Sequence, residues 1–354
     1  MRSFYGSHAI LTLALITVFV TDGIKDAFLV LVLAILEISL SVDNAVVNAG
    51  VLKNMEPIWQ KRFLTWGMLI AVFGMRLVFP VMVVTFATGL SAHDVVMLVM
   101  NSPEQYAHHL HQAHPMIASL GGMFLLMVGL SFMLDETRDV LWVGGIEKRL
   151  QSLGKIDAVN TTISLACLLI ISATVSSEIK SSVLMGGIWG IFLYGFVSSL
   201  DSLFAVSDDQ MSITQTAKRG GIIAFLYLEL LDASFSFDGV IGAFAISQEI
   251  QIITLGLGIG ALYVRSLTIY LVKKGVLDQY IYLEHGAHYA ILALAILMLA
   301  SIVHEIPEAI TGVTGAVLIG LSLWSSNSYK KQQAALLVAP ESLKQRYPNL
   351  HNNS

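Results

Sequence analysis

Two short stretches of this sequence carry carboxylates and hydroxyls at a spacing of two within apolar surroundings. The first, EISLSVDNA, contains Glu37 and Asp43. The second, DASFSFDGV, contains Asp232 and Asp238. Ionisable side chains inside a lipid-embedded segment are costly, and they commonly mark ion pathways or binding sites. The two stretches therefore predict a site that handles charge within a membrane.

The chemistry predicted for this site is the binding of a cation by oxygen atoms. Carboxylate, amide and hydroxyl oxygens favour Mg²⁺, Mn²⁺ or Ca²⁺ over metals that prefer thiolate or imidazole. The predicted metal ligands are Glu37, Asp43, Asn44, Asp232 and Asp238. The predicted supporting polar residues are Ser39, Ser41, Ser234, Ser236, Glu229 and Asp201. Two arginines, Arg76 and Arg265, are the predicted counter-ions, and four carboxylates with two arginines leave a charge that matches one divalent cation.

The spacing of two leaves two backbone arrangements open. On an ideal helix one face carries four polar residues, Glu37, Ser41, Asn44 and Asn48. Ser39 and Asp43 point away from that face. The helix can stay continuous, with polar partners on both sides. It can also unwind at 37–46 and 232–241 and free carbonyl oxygens for the ion. We prefer unwinding, which unbroken helical hydrogen bonds through both stretches would contradict.

The amino-acid composition indicates the class of protein whose helices position these residues. Of 354 residues, 55% are hydrophobic and 13% charged, with a mean hydropathy of +0.73. Soluble domains carry about 25% charged residues. The apolar runs approach the ~20 residues that cross a bilayer as a helix, whereas barrel strands need only about 10. We therefore predict an all-α polytopic membrane protein with about ten spans, at 4–21, 27–51, 63–89, 116–134, 159–177, 183–206, 220–246, 250–272, 287–303 and 306–325.

The distribution of basic residues predicts the orientation of these spans. With the N-terminus inside, 16 of the 20 Lys and Arg residues fall in inside segments and two in outside loops. Such a bias is typical of the cytoplasmic side. We expect an integral protein of a bacterial-type inner (plasma) membrane with both termini cytoplasmic. Residues 1–330 form one transmembrane domain and 331–354 a polar cytoplasmic tail.

The two acidic stretches belong to a longer internal repeat. Gly67 and Arg76 are nine residues apart, as are Gly256 and Arg265, and each pair follows one of the stretches. We place the copies at about 27–134 and 220–304. Because the copies are offset by five spans, they cross the membrane in opposite directions. This pattern predicts an inverted-topology repeat with a binding site at the repeat interface.

The motif E-x-S-x-S-x-D-N-A, followed by Gly-x8-Arg and by a second acidic copy, resembles the TerC family, named for tellurium resistance. The resemblance covers about residues 27–325. In that family the second copy commonly continues D-S-I-P-A, whereas here Asp238 is followed by GVIG, so the chain resembles a divergent branch. The resemblance implies a place among cation exporters, some of them exporting Mn²⁺, with relatives tied to tellurite resistance or membrane-protein biogenesis.

The predicted function is a secondary transporter that exports a divalent cation, Mn²⁺ by preference and Mg²⁺ or Ca²⁺ as alternatives, with proton coupling left open. Its partners are the lipid bilayer and the metal ion; no nucleic acid, resident cofactor or enzymatic activity is expected. A phosphate-binding Gly-x4-Gly-Lys-Ser/Thr motif is absent, as is the Gly-x-Gly-Asp motif of intramembrane aspartyl proteases. The alternative is a stress-response or assembly scaffold, which would tolerate Asp43→Ala and Asp238→Ala.

A histidine-rich segment, EQYAHHLHQAHP, lies outside the repeat motif in a predicted outside loop. Glu104, His108 and His111 would share a helical face, which permits metal capture. A solvated helix at the membrane surface is the preferred interpretation.

Overall fold

The described part of the chain is helical throughout. The computed structural model describes residues 4–156, 158–205, 213–247, 249–304 and 306–338. Within these ranges the α-helices are α1 Tyr5–Thr21, α2 Ile24–Leu40, α3 Val42–Lys53, α4 Pro57–Arg62, α5 Phe79–Thr88, α6 Ala92–Asn101, α7 Pro103–Leu134, α8 Gly144–Gly154, α9 Val159–Thr174, α10 Ser177–Ala205, α11 Ile213–Ile246, α12 Ile250–Lys274, α13 Val276–Gln279, α14 Leu283–Ser301 and α15 Glu308–Val338. Two π-helical segments, π1 Phe63–Gly67 and π2 Ile70–Val78, lie between α4 and α5.

Four helices are long and apolar enough to cross a bilayer, namely α7, α10, α12 and α14. The number rises to seven if three bent pairs each form one span: α2 with α3, α4–π1 with π2–α5, and α8 with α9. α1 is apolar but shorter. The described residues thus form an α-helical membrane protein with four to seven candidate spans, fewer than the ten expected from hydropathy.

The first acidic stretch lies at a break in its helix. α2 ends at Leu40 and α3 begins at Val42, with a bend of 52° between them. At the break Ser41 N–H donates to Ile38 O at 3.3 Å, and the i→i−4 pattern resumes when Ala45 N–H donates to Ser41 O at 3.1 Å. Ser and Asp side chains offer the backbone alternative partners, which favours such interruptions. The preferred unwinding is therefore confirmed for the first stretch.

The second acidic stretch keeps its helix. α11 runs without interruption from Ile213 to Ile246, so the expected unwinding at 232–241 is wrong. Ser234 Oγ donates back to Leu230 O at 2.9 Å, a bond that a serine makes within an intact helix. The same side-chain pattern is thus compatible with both a broken and a continuous helix.

The predicted third span departs from α-helical geometry in two places. π1 covers five residues and π2 nine, and Arg76 lies in π2. π-helical turns are rare, and they occur mostly as single-turn bulges at functional sites. Because it carries a buried arginine, the nine-residue π segment makes this span a candidate functional element.

Close packing of α12 on α2 holds the first acidic stretch in place. A Cβ atom at Gly260 would lie 2.9 Å from Ala34 O, and one at Gly256 would lie 3.1 Å from Val30 O. Only glycine fits such approaches between helix backbones without a shift. Gly260 also faces Glu37, whose Cγ would lie 2.6 Å from that Cβ. The glycine face of α12 therefore sets the position of Glu37.

Two predicted boundaries shift in the structure. α15 continues through residue 330 to Val338, so the first part of the predicted tail is helical, and residues 339–354 lie outside the described ranges. α7 begins at Pro103, so the histidine-rich segment forms its first turns. His108 and His111 are exposed on this helix, as expected for a solvated surface.

Candidate functional site

A small cavity of about 40 Å³ lies where α2, α3, π1, π2, α11 and α12 meet. Its polar lining consists of Glu37, Ser41, Asn44, Asn48, Arg76, Asp232, Arg265 and Thr268. The face predicted for the first stretch, from Glu37 to Asn48, is the face that lines this cavity. Asn48 and Thr268 are the two polar lining residues that were not among the predicted site residues.

Glu37 lies at the α2 end of the cavity, where two hydrogen bonds hold its carboxylate. Its Oε1 accepts hydrogen bonds from Arg76 Nη2 at 2.5 Å and from Ser41 Oγ at 3.0 Å. The Glu37 and Arg76 side chains are only 4% and 3% exposed, so this is a buried ion pair. Breaking a buried pair by removing one partner is strongly destabilising, because the other charge is left without compensation. The expected role of Arg76 as a counter-ion agrees with this geometry.

Asn44 joins the first stretch to the second. Its Nδ2 donates to Asp232 Oδ1 on α11 at 2.6 Å. On the other side of the break, α2 also approaches α11, since a Cβ atom at Gly239 would lie 3.2 Å from Glu37 Oε2. Asp232 thus meets Asn44 while Gly239 meets Glu37, as in two antiparallel segments that cross. The two acidic stretches that the sequence singled out are in direct contact.

Two amide oxygens in the cavity lack a hydrogen-bond donor. Asn44 Oδ1 and Asn48 Oδ1 are buried and accept no hydrogen bond from the described residues. The side chains lie four residues apart and share one face of α3, and they are 2% and 5% exposed. An unsatisfied buried polar atom costs about 1–3 kcal/mol, so two neighbouring ones call for a functional explanation.

Arg265, which lines the cavity, and Glu229 beside it continue the polar region. Arg265 Nη2 donates to Phe63 O at 2.7 Å, and its guanidinium lies 5.5 Å from the Phe63 ring centroid. It lies within electrostatic range of Asp232 and Glu229. Both carboxylate oxygens of Glu229 are buried without a hydrogen-bond donor in the described ranges. Glu229 Oε1 would be 2.6 Å from a Cβ atom at Gly67, so the glycine makes room for it.

Asp43 does not contribute to this cavity. Its Oδ1 accepts the N–H of Asn44 at 2.9 Å in the first turn of α3, where the helix dipole favours an anion. Its Oδ2 would be 3.3 Å from a Cβ atom at Gly315 on α15. Asp43 therefore faces α15, away from Glu37, as the ideal helix predicts. The expectation that all four carboxylates surround one ion does not match this placement.

The other predicted site residues contribute less or lie outside the described side chains. Ser39 is exposed, and its Oγ donates to Ile35 O at 2.8 Å. Ser234 and Ser236 are buried on α11 outside the lining of the cavity. The side chains of Asp201 and Asp238 lie outside the described part of the structure. The described carboxylates of the cavity are therefore Glu37 and Asp232, with Glu229 beside them.

The cavity therefore combines two kinds of oxygen donor, carboxylate and amide. Among the described residues no group of three or more His, Cys, Asp and Glu side chains is arranged to hold a metal ion. The cavity offers instead two carboxylates and two amide oxygens, which are hard donors.

One family model matches most of the chain. It covers residues 42–333 and carries the description "Protein of unknown function (DUF475)". The chain belongs to the DUF475 family. No curated protein and no solved structure matches it. The matched range of this DUF475 chain includes Asn44, Asn48, Arg76, Asp232 and Arg265, and it begins at the first residue of α3.

The DUF475 chain also has a larger chamber beside α3. A cavity of about 570 Å³ is lined by Val46, Val47, Gly50 and Val51 of α3, with Glu56 and Glu284 at its polar edge. A second cavity of about 440 Å³ shares with it Val51, Phe132, Ala224, Tyr227 and His288. We call the two together the vestibule. α3 thus contributes side chains to both the vestibule and the small polar cavity.

Proposed function

We propose that this protein is a secondary transporter of a divalent cation, with its binding site in the small polar cavity. The observation that carries the proposal is the pair of unpartnered amide oxygens, Asn44 Oδ1 and Asn48 Oδ1, beside the carboxylates Glu37 and Asp232. A cation bound between them would satisfy these oxygens and compensate the carboxylates. Oxygen donors of this kind favour Mg²⁺, Mn²⁺ or Ca²⁺. The resemblance to TerC proteins makes Mn²⁺ the first candidate and export its direction.

The proposed architecture is an inverted repeat within about ten spans, with both termini cytoplasmic. In the alignment of the two stretches, Glu37 corresponds to Asp232 and Asn44 to Gly239. The contact of Asn44 with Asp232 then corresponds to the approach of Gly239 to Glu37, as an approximate two-fold axis between the copies would require. These reciprocal contacts support a site at the repeat interface, where many secondary transporters bind their substrates.

The break at Ser41 supports a carrier rather than a static ion pair. Discontinuous helices in transporters supply polar groups to the ion in the middle of the membrane. Here the break separates Glu37 from Asn44 and Asn48, so a hinge at Ser41 would change the distance between the donors. The vestibule, which α3 also lines, gives a route by which an ion could reach that helix. Coupling to protons is part of the proposal, since buried carboxylates can exchange a metal ion for protons.

Ion flux into sealed vesicles that contain the purified protein tests this function. With Mn²⁺, Mg²⁺ or Ca²⁺ and an imposed pH gradient, we expect flux of at least one ion above that of protein-free vesicles. Asp232→Asn should lower it by about tenfold or more, because it removes one ligand charge. Ser39→Ala is the matched control, because Ser39 is exposed and bonded to its own helix.

The outcomes separate a transporter from a scaffold. A scaffold would leave the flux of all three ions at the background of empty vesicles. Equal flux in wild type and Asp232→Asn would also contradict the proposed site. Flux that ignores the pH gradient would exclude proton coupling and leave the binding site in place.

A further inference from the structure

We propose that Arg76 is a tethered competitor of the transported cation, whose guanidinium occupies the Glu37 carboxylate and must leave it when the ion binds. The proposal rests on the proposed function and assigns to Arg76 a role beyond charge compensation. It predicts that Arg76 lowers the affinity of the site for its ion.

The Glu37 carboxylate already has partners that a metal ion would have to replace. Glu37 Oε1 already accepts two hydrogen bonds, from Arg76 Nη2 and from Ser41 Oγ. Arg76 Nη2 lies 2.5 Å from this oxygen, with both side chains almost fully buried. Charge-assisted hydrogen bonds of this kind are the strong ones. A metal ion that uses Glu37 Oε1 as a ligand must therefore displace the guanidinium.

The size of the cavity makes the competition direct. Arg76 lines the same cavity of about 40 Å³ as Asn44, Asn48 and Asp232. A guanidinium and a divalent cation within this volume repel each other, and the repulsion is larger in a protein interior than in water. The ion and the guanidinium are therefore alternative partners of one carboxylate.

The segment that carries Arg76 is suited to such a movement. Arg76 belongs to π2, and its Nη1 also donates to Ala71 O of the same segment. The side chain thus binds both Glu37 and the π-helical backbone. Return of π2 to α geometry would change the number of residues per turn and with it the direction in which Arg76 projects. A segment that changed geometry in this way would be the kind of element that a ligand can bias.

Arg265 provides a control for the effect of removing Arg76. It occupies the corresponding position in the second copy, yet its Nη2 donates to the carbonyl of Phe63 at 2.7 Å. No ion pair joins Arg265 to a carboxylate among the described residues within 4.0 Å. Arg265 also lines the cavity but does not occupy a carboxylate there, so its removal should change ion affinity less than removal of Arg76.

Calorimetric titration of the purified full-length protein with MnCl₂, MgCl₂ or CaCl₂ tests the proposal. Arg76→Gln should bind the ion about tenfold more tightly than wild type, because removal of one nearby charge is worth at least 1.4 kcal/mol of repulsion. Arg76→Lys, which keeps the charge, should stay close to wild type, and Arg265→Gln should show a smaller gain. A purely structural Arg76 would give unchanged or weaker binding in Arg76→Gln, and that result would overturn the proposal.

A second measurement serves if Arg76→Gln does not fold. Infrared difference spectra of wild-type protein with isotope-labelled arginine should show a shift of guanidinium bands when MnCl₂ is added. The shift should persist in Arg265→Lys and disappear in Arg76→Lys. Unaltered guanidinium bands in a wild type that binds the ion would overturn the competition and leave the proposed function intact. Failure of wild type to bind any of the three ions would overturn both.

Discussion

At the residue scale, helical periodicity predicted which side chains of the first stretch act together. Glu37, Ser41, Asn44 and Asn48 line one cavity, and Asp43 points away from it, as a period of 100° per residue requires. The sequence could not show which partner each side chain meets, because those contacts join residues far apart in the chain. The pairing of Glu37 with Arg76 and of Asn44 with Asp232 depends on how separate helices pack.

The charge of the site is the clearest difference between sequence and structure. The sequence predicted that four carboxylates surround one ion. The structure places Glu37 and Asp232 in the cavity and turns Asp43 towards α15. Acidic residues of one stretch need not face the same space, because a helix presents its faces to different neighbours. Amide oxygens therefore carry a larger share of the proposed coordination than the sequence indicated.

Asn48 allows binding and stability to be separated. Asn48→Leu removes an amide oxygen that has no hydrogen-bond donor in the described part of the chain. Replacing an unsatisfied buried group by an apolar one of similar size is neutral or stabilising by about 1 kcal/mol. We therefore expect an unchanged or higher melting temperature without metal and a loss of the additional stabilisation that wild type gains when Mn²⁺ is added.

Asn54→Leu is the control for that variant. Asn54 lies just beyond the last turn of α3, where it lines the vestibule. Its thermal response to Mn²⁺ should match that of wild type. A full response to the ion in Asn48→Leu would mean that Asn48 is not a ligand.

At the element scale, the sequence predicted which helices carry the two acidic stretches, but it did not show that their backbone geometries differ. The spacing of two occurs in both stretches, yet only the first helix breaks. In the first stretch Ser41 Oγ bonds to Glu37 and Asp43 bonds to the N–H of Asn44, so side chains replace part of the backbone pattern. In the second, Ser234 bonds back to its own helix. The π-helical turns of the third span had no signal in the spacing of polar residues.

Packing of α12 on α2 predicts a cost for any side chain at Gly260. Gly260→Ala would place its Cβ 2.6 Å from Glu37 Cγ and 2.9 Å from Ala34 O, so the two helices must separate. Overpacking of this kind costs about 1–3 kcal/mol. We expect a lower melting temperature in detergent and weaker binding of Mn²⁺, because Glu37 moves with α2.

Gly195→Ala is the matched control for Gly260→Ala. It makes the same change on α10 at a position with nothing within 4 Å of the added methyl group. Alanine is the better helix former, so its stability should be equal or higher. Equal stability of the two variants would contradict the close packing of α12 on α2.

At the scale of the whole molecule, composition was sufficient to predict a membrane protein built from helices. It could not fix the number of spans, because length and hydropathy do not show where a helix bends. Three bent pairs and a short first helix account for much of the difference between ten predicted spans and the four to seven candidates. The bend at Ser41 goes with local hydrogen bonds of single side-chain and backbone groups, which hydropathy does not register.

Two cavities adjoin α3. This helix lines both the vestibule and the small polar cavity. Glu56, which lines the vestibule, belongs to the same predicted inside loop as Lys61 and Arg62. We therefore expect ions to enter the vestibule from the cytoplasmic side, as export requires. Movement of α3 about Ser41 is the step that would join the two spaces.

Anomalous X-ray scattering from crystals grown with Mn²⁺ is the most direct test of the central claim, that the small cavity binds the ion. We predict an anomalous peak within coordination distance of Asn44 Oδ1, Asn48 Oδ1 and an oxygen of Asp232, absent from crystals of Asp232→Asn. A peak confined to the vestibule or to the histidines of α7, with none between α3 and α11, would contradict the claim.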